Sequence, residues 1–286
     1  MTKAFVYPED LPPARLDKVL AQNLGLGLRR SRALIEQGQV LVDDRPFPKG
    51  GRVRPGQRVS LIPPVSSADM PASIAPVSPA VNVVARDERF AALAKPAGLH
   101  SVAGRGEPCL ESVLPALSLE GWRLVNRLDF LTSGLVLAAV GDTDVDAYKS
   151  WQDEGLVSKW YLALVHGEVD ALELRGRILD EKRRVVRVSD EEDGHLRWTW
   201  AKAVQRADGK TLVLARIFKG RRHQIRAHLA HAGHPLVGDP VYGAGEAEGL
   251  RLHHWRVDMP GFSAMWLPDW AQGDPERVED VRLSFP

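Results

Sequence analysis

The stretch from Pro63 to Ala80 constrains the fold more than any other. Pro63, Pro64, Pro71, Pro76 and Pro79 fall there among serines and alanines. Each proline fixes its own φ and removes a backbone donor, so neither a helix nor a sheet ladder runs through the segment. It reads as a stiffened interdomain linker over 63–80, dividing 286 residues into pieces that must each bury a core of their own. The expected division is an N-terminal tail (1–13), a small domain (14–62), this linker, and a large domain (81–286).

The two pieces differ in charge. Residues 15–62 carry ten Lys/Arg against four Asp/Glu, although the whole chain nets only +1. A compact basic module beside a mildly acidic body suits a chain in which one part grips phosphate and the other does something else. Within the module, Leu16, Val19, Leu20 and Leu24 recur at helical spacing. A second helix carries Arg29, Arg30 and Arg32 ahead of Leu34 and Ile35. Gly38 stops it, and Gln39-Val40-Leu41-Val42 alternates into a strand before the Asp43-Asp44 turn. Over nearly its whole length this stretch resembles the S4 RNA-binding module, through Arg15-Leu16-Asp17, Ser31-Arg32, Gly38–Val42 and Pro55-Gly56-Gln57-Arg58-Val59. That resemblance implies that Arg29, Arg30 and Arg32 contact RNA.

Beyond the linker the apolar runs at 81–85, 89–94, 135–140, 160–165 and 211–217 have the length and content of buried strands, with helices over about 142–154 and 223–232. Strands outnumber helices and do not alternate with them regularly. The expected class is therefore α+β, with a mixed, largely antiparallel sheet flanked by helices and loops. No uncharged apolar run reaches the ~18 residues a membrane helix needs. The opening residues are too acidic for a secretory signal, and the single Cys109 can form no intrachain disulfide, which together suit a reducing cytoplasm.

Two stretches concentrate the chemistry. Asn126-Arg127-Leu128-Asp129-Phe130-Leu131-Thr132-Ser133-Gly134-Leu135 sets one carboxylate between apolar neighbours, beside a guanidinium and before a turn. Gly220-Arg221-Arg222-His223-Gln224-Ile225-Arg226-Ala227-His228, continuing to Gly233-His234-Pro235-Leu236-Val237-Gly238-Asp239-Pro240-Val241-Tyr242-Gly243, supplies cations and a glycine-rich turn. An Arg-Leu-Asp tripeptide alone is more often a structural ion pair. His223, His228, His231 and His234 could suggest a metal, but no acid or thiolate accompanies them until Asp239, and Pro235 ends the helix just after the last. Hydrogen bonding within the core is the simpler reading, and no metal is expected.

Together these stretches resemble the RluA-type pseudouridine synthases. The H-R-L-D-x-x-T-S-G-L motif is met from Arg127 to Leu135, and G-R-x-H-Q-I-R-x-H with G-x-P-I-x-G-D-x-x-Y-G from Gly220 to Gly243. K-x-Y-L-A-L-V-x-G is met from Lys159 to Gly167, and K-P-A-G-L from Lys95 to Leu99. The resemblance implies isomerisation of uridine in RNA to pseudouridine, with the glycosidic bond cut at N1 and rebuilt at C5, without cofactor. It makes Asp129 the nucleophile, attacking the sugar or the base. Arg226 becomes its guanidinium partner, or else a phosphate ligand, and Tyr161 the ring that stacks on an extruded base. Arg127 would fill the gap left by that base or hold a phosphate. Leu128 and Leu236 would line the pocket and exclude water. Arg221, His223 and Gln224 complete the expected binding set, with Arg222 adding a cation where a threonine is more usual. Asn126 stands where the family has His, which leaves activity expected but any proton relay there in doubt.

Pairing an S4-like module with this body resembles the ribosomal-RNA members, so structured large-subunit rRNA or a ribosomal precursor is the expected partner and tRNA the alternative. A non-catalytic RNA-binding or ribosome-assembly protein is the competing class, one that has no need of Asp129 beside Arg226 and Tyr161. A monomer is expected.

Overall fold

The computed structural model describes residues 4–25, 27–36, 40–43, 45, 46, 51–61, 81–103, 109–180, 185–243, 249–271 and 275–285. The linker expected at 63–80, the helix-stopping Gly38 and the side chains of Arg29 and Arg30 lie outside the described residues. The chain falls into two compact units, Met1–Val77 and Ser78–Pro286.

The small unit comprises strands β1 (Ala4–Val6) and β2 (Ala14–Arg15), helices α1 (Leu16–Leu24) and α2 (Leu28–Glu36), then β3 (Val40–Val42), β4 (Arg45–Pro46), β5 (Arg52–Val53) and β6 (Arg58–Leu61). Leu16, Val19 and Leu20 of α1 share a core with Leu34 of α2 and with Val40, Val42, Val53 and Val59 from the strands. One face of each helix is thus buried, as the spacing of these residues requires. Within the expected tail 1–13, residues 4–13 do more than the sequence suggests. Phe5 pairs opposite Val59 in a β1–β6 ladder, and the buried Tyr7 donates its hydroxyl to Pro12 O at 2.9 Å. Asp17, buried at the start of α1, accepts from Arg15 (3.1 Å) and from Arg32 Nε (2.8 Å). The Arg15 hydrogen bond, with that from Arg32, outweighs burial and holds the Asp17 carboxyl at about 2. Arg32, expected as an RNA contact, is therefore engaged within the unit.

The large unit is built on one ten-stranded sheet. Its strands are β7 (Asn82–Arg86), β8 (Phe90–Lys95), β9 (Arg123–Leu124), β10 (Ser133–Ala139), β11 (Ser158–His166), β12 (Ala171–Leu174), β15 (Thr199–Ala207), β16 (Lys210–Ile217), β17 (Leu252–Met259) and β18 (Phe262–Met265). A separate hairpin pairs β13 (Gly176–Leu179) with β14 (Arg187–Glu192). The main order is β12-β15-β16-β11-β17-β10-β8-β7, with β18 on β17 and β9 on β10. Every described pairing in it is antiparallel except β10–β17. This is the mixed, largely antiparallel α+β body read from the sequence.

Because the side chains of a strand alternate, the central strands feed two cores. Ala91, Leu93, Val136, Ala138, Tyr161 and Ala163 face one cluster. Phe90, Ala92, Leu135 and Leu137 face another, with Val145 and Tyr148 of α3 (Asp142–Asp153). Helix α4 (Gln224–His231) adds Ile225 and Leu229 to the first face, which carries the site, and α5 (Pro275–Leu283) adds Val278 to a third cluster on β11 and β16. No helix among the described residues is long and apolar enough to cross a membrane.

The parallel pair sets the geometry of the centre. At Gly134 (φ +120°) a Cβ would stand 2.3 Å from His254 N, so only glycine lets β10 close against β17 there. On its other side β17 slips register against β11 between Trp160 and Tyr161, which brings Tyr161 opposite His254.

Candidate active site

Asp129 sits in the turn that links β9 to β10, and the chain braces that turn from several sides. Ser101 Oγ donates to Leu128 O (2.9 Å) and accepts from Leu128 N (3.0 Å). Gly98 N donates to Phe130 O at 2.8 Å, and Thr132 N to Asp129 O at 3.1 Å. Asn126 accepts from Leu137 N through its side-chain oxygen at 2.6 Å. The residue that departs from the usual histidine thus ties the approach to Asp129 onto β10. Lys95, wholly buried, donates from Nζ to the carbonyls of Leu99 (2.8 Å), Pro96 (2.9 Å) and Phe130 (3.4 Å). Burial lowers its pKa to about 8 in spite of the Asp129 charge.

Helix α4 supplies the partner. Arg226, 3% exposed, donates from Nη1 to Asp129 Oδ2 at 3.3 Å. Its other edge is locked: Nε and Nη2 donate to the two carboxylate oxygens of Asp239, both at 2.8 Å, and Asp239 is fully buried. Asp239 Oδ1 also accepts from Val241 N (2.9 Å) and Tyr242 N (3.2 Å). Burial pushes the Asp239 carboxyl up, but Arg226 and these amides outweigh it and hold it below the usual carboxylate range. A planar fork clamped on one edge can present the other in a single orientation. Asp239 lies in the second motif, but its hold on Arg226 is visible only in the fold. The sequence signal for it is an acid directly after Gly238 in that motif; in the fold, a Cβ added at Gly238 would stand 1.9 Å from Gly249 O.

His223 stands at the N-terminus of α4 in the left-handed region (φ +56°). Its Nδ1 meets Tyr242 Oη at 3.0 Å, and its Nε2 lies 3.8 Å from Asp129 Oδ2. Burial, with the Arg226 charge, outweighs Asp129 and lowers its pKa, favouring the neutral ring. Tyr161 lies flat on His254, with centroids 4.6 Å apart and planes 16° apart. Burial pushes its hydroxyl far above the ordinary range. His254 in turn donates from Nδ1 to Leu135 O.

These groups converge on one open cleft of about 450 Å³, whose walls include Arg127, Leu128, Asp129, Lys159, Tyr161, Ile217, Arg221, His223, Gln224 and Arg226. The nucleophile, guanidinium and phenol expected to act together therefore do share a cavity. Other expected residues have different duties. Leu236 is not on the wall but in the core beneath it, bridging Val165. Gln224 is spent internally, accepting from Arg221 N (2.9 Å) and donating to Arg197 O (2.7 Å) and Thr199 Oγ1 (3.1 Å). Arg221 pairs with Asp193 at 3.3 Å and Arg222 with Asp180 at 2.6 Å. His228 is bonded to Thr199 Oγ1 and Gly176 O, and His234 to His166 O.

Residues 89–231 match the family RNA pseudouridylate synthase. A ribosomal large subunit pseudouridine synthase D of Nitrosomonas europaea is 32% identical over 301 aligned residues, spanning 94% of this chain and 85% of that protein. A dual-specificity RNA pseudouridine synthase RluA of Vibrio cholerae is 34% identical over 187 residues, 62% of this chain and 76% of its own. The human RNA pseudouridylate synthase domain containing 1 shares the fold, with a TM-score of 0.60 at 19% identity, over 72% of this chain and 96% of its own.

Proposed function

From the premise that this chain belongs to the RluA family of RNA pseudouridine synthases, enzymes that isomerise uridine in RNA, we propose that Asp129 is its nucleophile and large-subunit ribosomal RNA its substrate. The observation that carries the assignment of Asp129 is its pairing with Arg226, itself held by Asp239, at the wall of an open cleft. Attack on C1′ of the ribose and attack on C6 of the base both need a charged carboxylate with one free lone pair. A guanidinium fixed on its far edge stabilises that charge without wandering onto the substrate. Tyr161 has one face covered by His254, which leaves the other for the extruded uracil. Arg127 is exposed at the rim, where it would hold a phosphate or occupy the place the base vacates. Bond making and breaking are both internal to the nucleotide, so the reaction calls for no oxidant, reductant or cofactor.

Two features support ribosomal RNA: the S4-like basic unit read from residues 14–62, which we take to be a second RNA grip, and the extent of the match to the Nitrosomonas protein. The dual-specificity name of the Vibrio relative leaves room for an RNA other than ribosomal RNA, and tRNA is our second reading. Pseudouridines are to be mapped in RNA from a strain lacking the gene, then restored with wild type or with Asp129→Asn. Loss of one or a few sites in large-subunit rRNA is expected, regained with wild type alone. A missing tRNA site instead would select the second reading, and full restoration by Asp129→Asn would remove Asp129 from the mechanism.

A further inference from the structure

Lys159 is the second residue of β11, two before Tyr161, so both side chains project from the same face of the strand. It is 4% exposed and lines the cleft with Asp129 and Tyr161. Among the described residues its amine has no hydrogen-bond or ion-pair partner. The contrast with Lys95, whose Nζ reaches three carbonyls, is direct. Another cation, Lys219, itself paired with Asp153, acts on Lys159. Burial and Lys219 together push the Lys159 pKa down to about 7. A largely buried ammonium without an acceptor is unfavourable, so an acceptor arriving with the substrate would relieve a standing cost.

The reaction creates such an acceptor by either route. If the C1′–N1 bond breaks first, its electron pair stays on the uracil and spreads from N1 to O2 and O4. If Asp129 adds to C6 first, the C5–C6 pair moves through C4 onto O4. In both cases the C1′–N1 pair goes to N1, the C5–C1′ bond forms from the ring's electrons, the bond from Asp129 to C1′ or C6 breaks and returns its pair to the carboxylate, C5 releases its proton to water, and N1 takes one up.

Resting on the assignment of Asp129 and Tyr161 above, we infer that Lys159 is a further catalytic residue whose ammonium hydrogen-bonds the uracil oxygen that becomes negative as the glycosidic bond is rearranged. Its place beside Tyr161, on the face where the base would lie, fits the ring. The RNA backbone, whose phosphates stay hydrated, fits the exposed Arg127 at the rim. The Lys159 proton is not consumed; the hydrogen bond strengthens as charge builds and relaxes when it disperses.

The test uses the full chain, Lys159→Met and Lys159→Gln, with ribosomal RNA from the deletion strain. Pseudouridine formation is followed under single turnover with enzyme in excess, and RNA affinity by filter binding across a salt series. Lys159→Met is expected to slow the chemical step about 10²–10³-fold, the range seen when one donor to a developing anion is removed. Its affinity and salt dependence should stay at the wild-type values. A chemical step within about threefold of wild type overturns the inference. So does a loss that appears as weaker binding with a salt slope reduced by about one, because that is the mark of a phosphate contact. Lys159→Gln keeps a polar donor without the charge and is expected between the two; if neither variant folds, Lys159 is structural and the inference falls. A wild-type protein that forms no pseudouridine in any RNA refutes the reading beneath it instead.

Discussion

Asp239→Asn tests whether the site depends on a residue that touches no substrate. In the native protein Arg226 gives three of its donors to two carboxylates, and the two bonds to Asp239 are the shorter, at 2.8 Å each against 3.3 Å to Asp129. Asparagine keeps the shape, and its oxygen can still accept from the Val241 and Tyr242 amides. Its NH2 group then faces a guanidinium N–H, donor against donor, and a cation that is 3% exposed loses its fully buried counter-ion. Breaking a buried pair in this way costs about 3–5 kcal/mol. In a domain of this size that corresponds to a fall in Tm of very roughly 10 °C. The released fork also drifts relative to Asp129, and a displacement of about 1 Å in a reacting constellation is enough for a ~10²-fold loss of rate. Thermal unfolding and single-turnover pseudouridine formation measure the two effects. A double-mutant cycle with Arg226→Gln separates them from general damage: once the guanidinium is gone, Asp239→Asn should cost little more, giving a coupling energy above about 2 kcal/mol. Additive losses, or an Asp239→Asn enzyme as stable and fast as wild type, would refute the idea that Asp239 fixes Arg226 for Asp129.

Gly134→Ala should be among the most damaging small changes, because its methyl would lie 2.3 Å from His254 N at the parallel β10–β17 contact. A drop of more than about 4 kcal/mol in denaturant unfolding is expected, and a well-folded variant would mean the two strands can separate without cost. Asp17, held at about 2 against 3.8 for the free carboxyl, stabilises the small unit fully above about pH 4 and loses that contribution as pH falls towards 2. Because Arg15 and Arg32 are about half exposed, the share is ~1–2 kcal/mol rather than the full shift. Amide exchange in α1 and α2 should therefore quicken between pH 4 and 2 in wild type but show no such step in Asp17→Asn. For Lys159 the slope keeps the same sign although here the charged form costs stability: a folded-state value of about 7 against 10.5 unfolded means the unfolded chain holds more protons between those values. Stability should then rise with pH across about 7 to 10, and Lys159→Met should raise Tm more at pH 6 than at pH 10. An unchanged Tm at pH 6 would show that the lysine carries no burial penalty.

What the sequence made legible and what it hid separate along a physical line. Apolar runs such as Leu135–Ala139 and Trp160–Val165 announce themselves as central strands because both their faces are buried, and burial on two faces needs no knowledge of the partner. Asp129, Arg226 and Tyr161 were legible through motif resemblance, and their meeting in one cleft is the fold's answer to residues up to 97 positions apart. Segments whose state depends on the partner were opaque. Ala4–Val6 is too short to show a period, and it is a strand because β6 lies beside it more than fifty residues away. The β13–β14 hairpin, with Asp190-Glu191-Glu192 at its end, lacks the apolar alternation that marks a strand.

The same limit governs the side chains at the site. Leucine on a wall and leucine in a core obey one burial rule, so nothing local tells Leu128 from Leu236, yet the first faces the cleft and the second lies beneath it. Polar residues are ambiguous in the opposite sense, since their function depends on which bonds are already made. Gln224, Arg221 and Arg222 look available in sequence but are engaged by Thr199, Asp193 and Asp180. Lys159 looks like one more strand lysine, and only the absence of a partner among the described residues marks it out. The Asp239 pair makes the converse point: a carboxylate with all its bonds satisfied is what frees the last edge of Arg226 for Asp129. Saturated and unsaturated hydrogen-bonding capacity thus divide this cleft into groups that hold the site and groups that can meet a substrate, and that division exists only once the chain has folded.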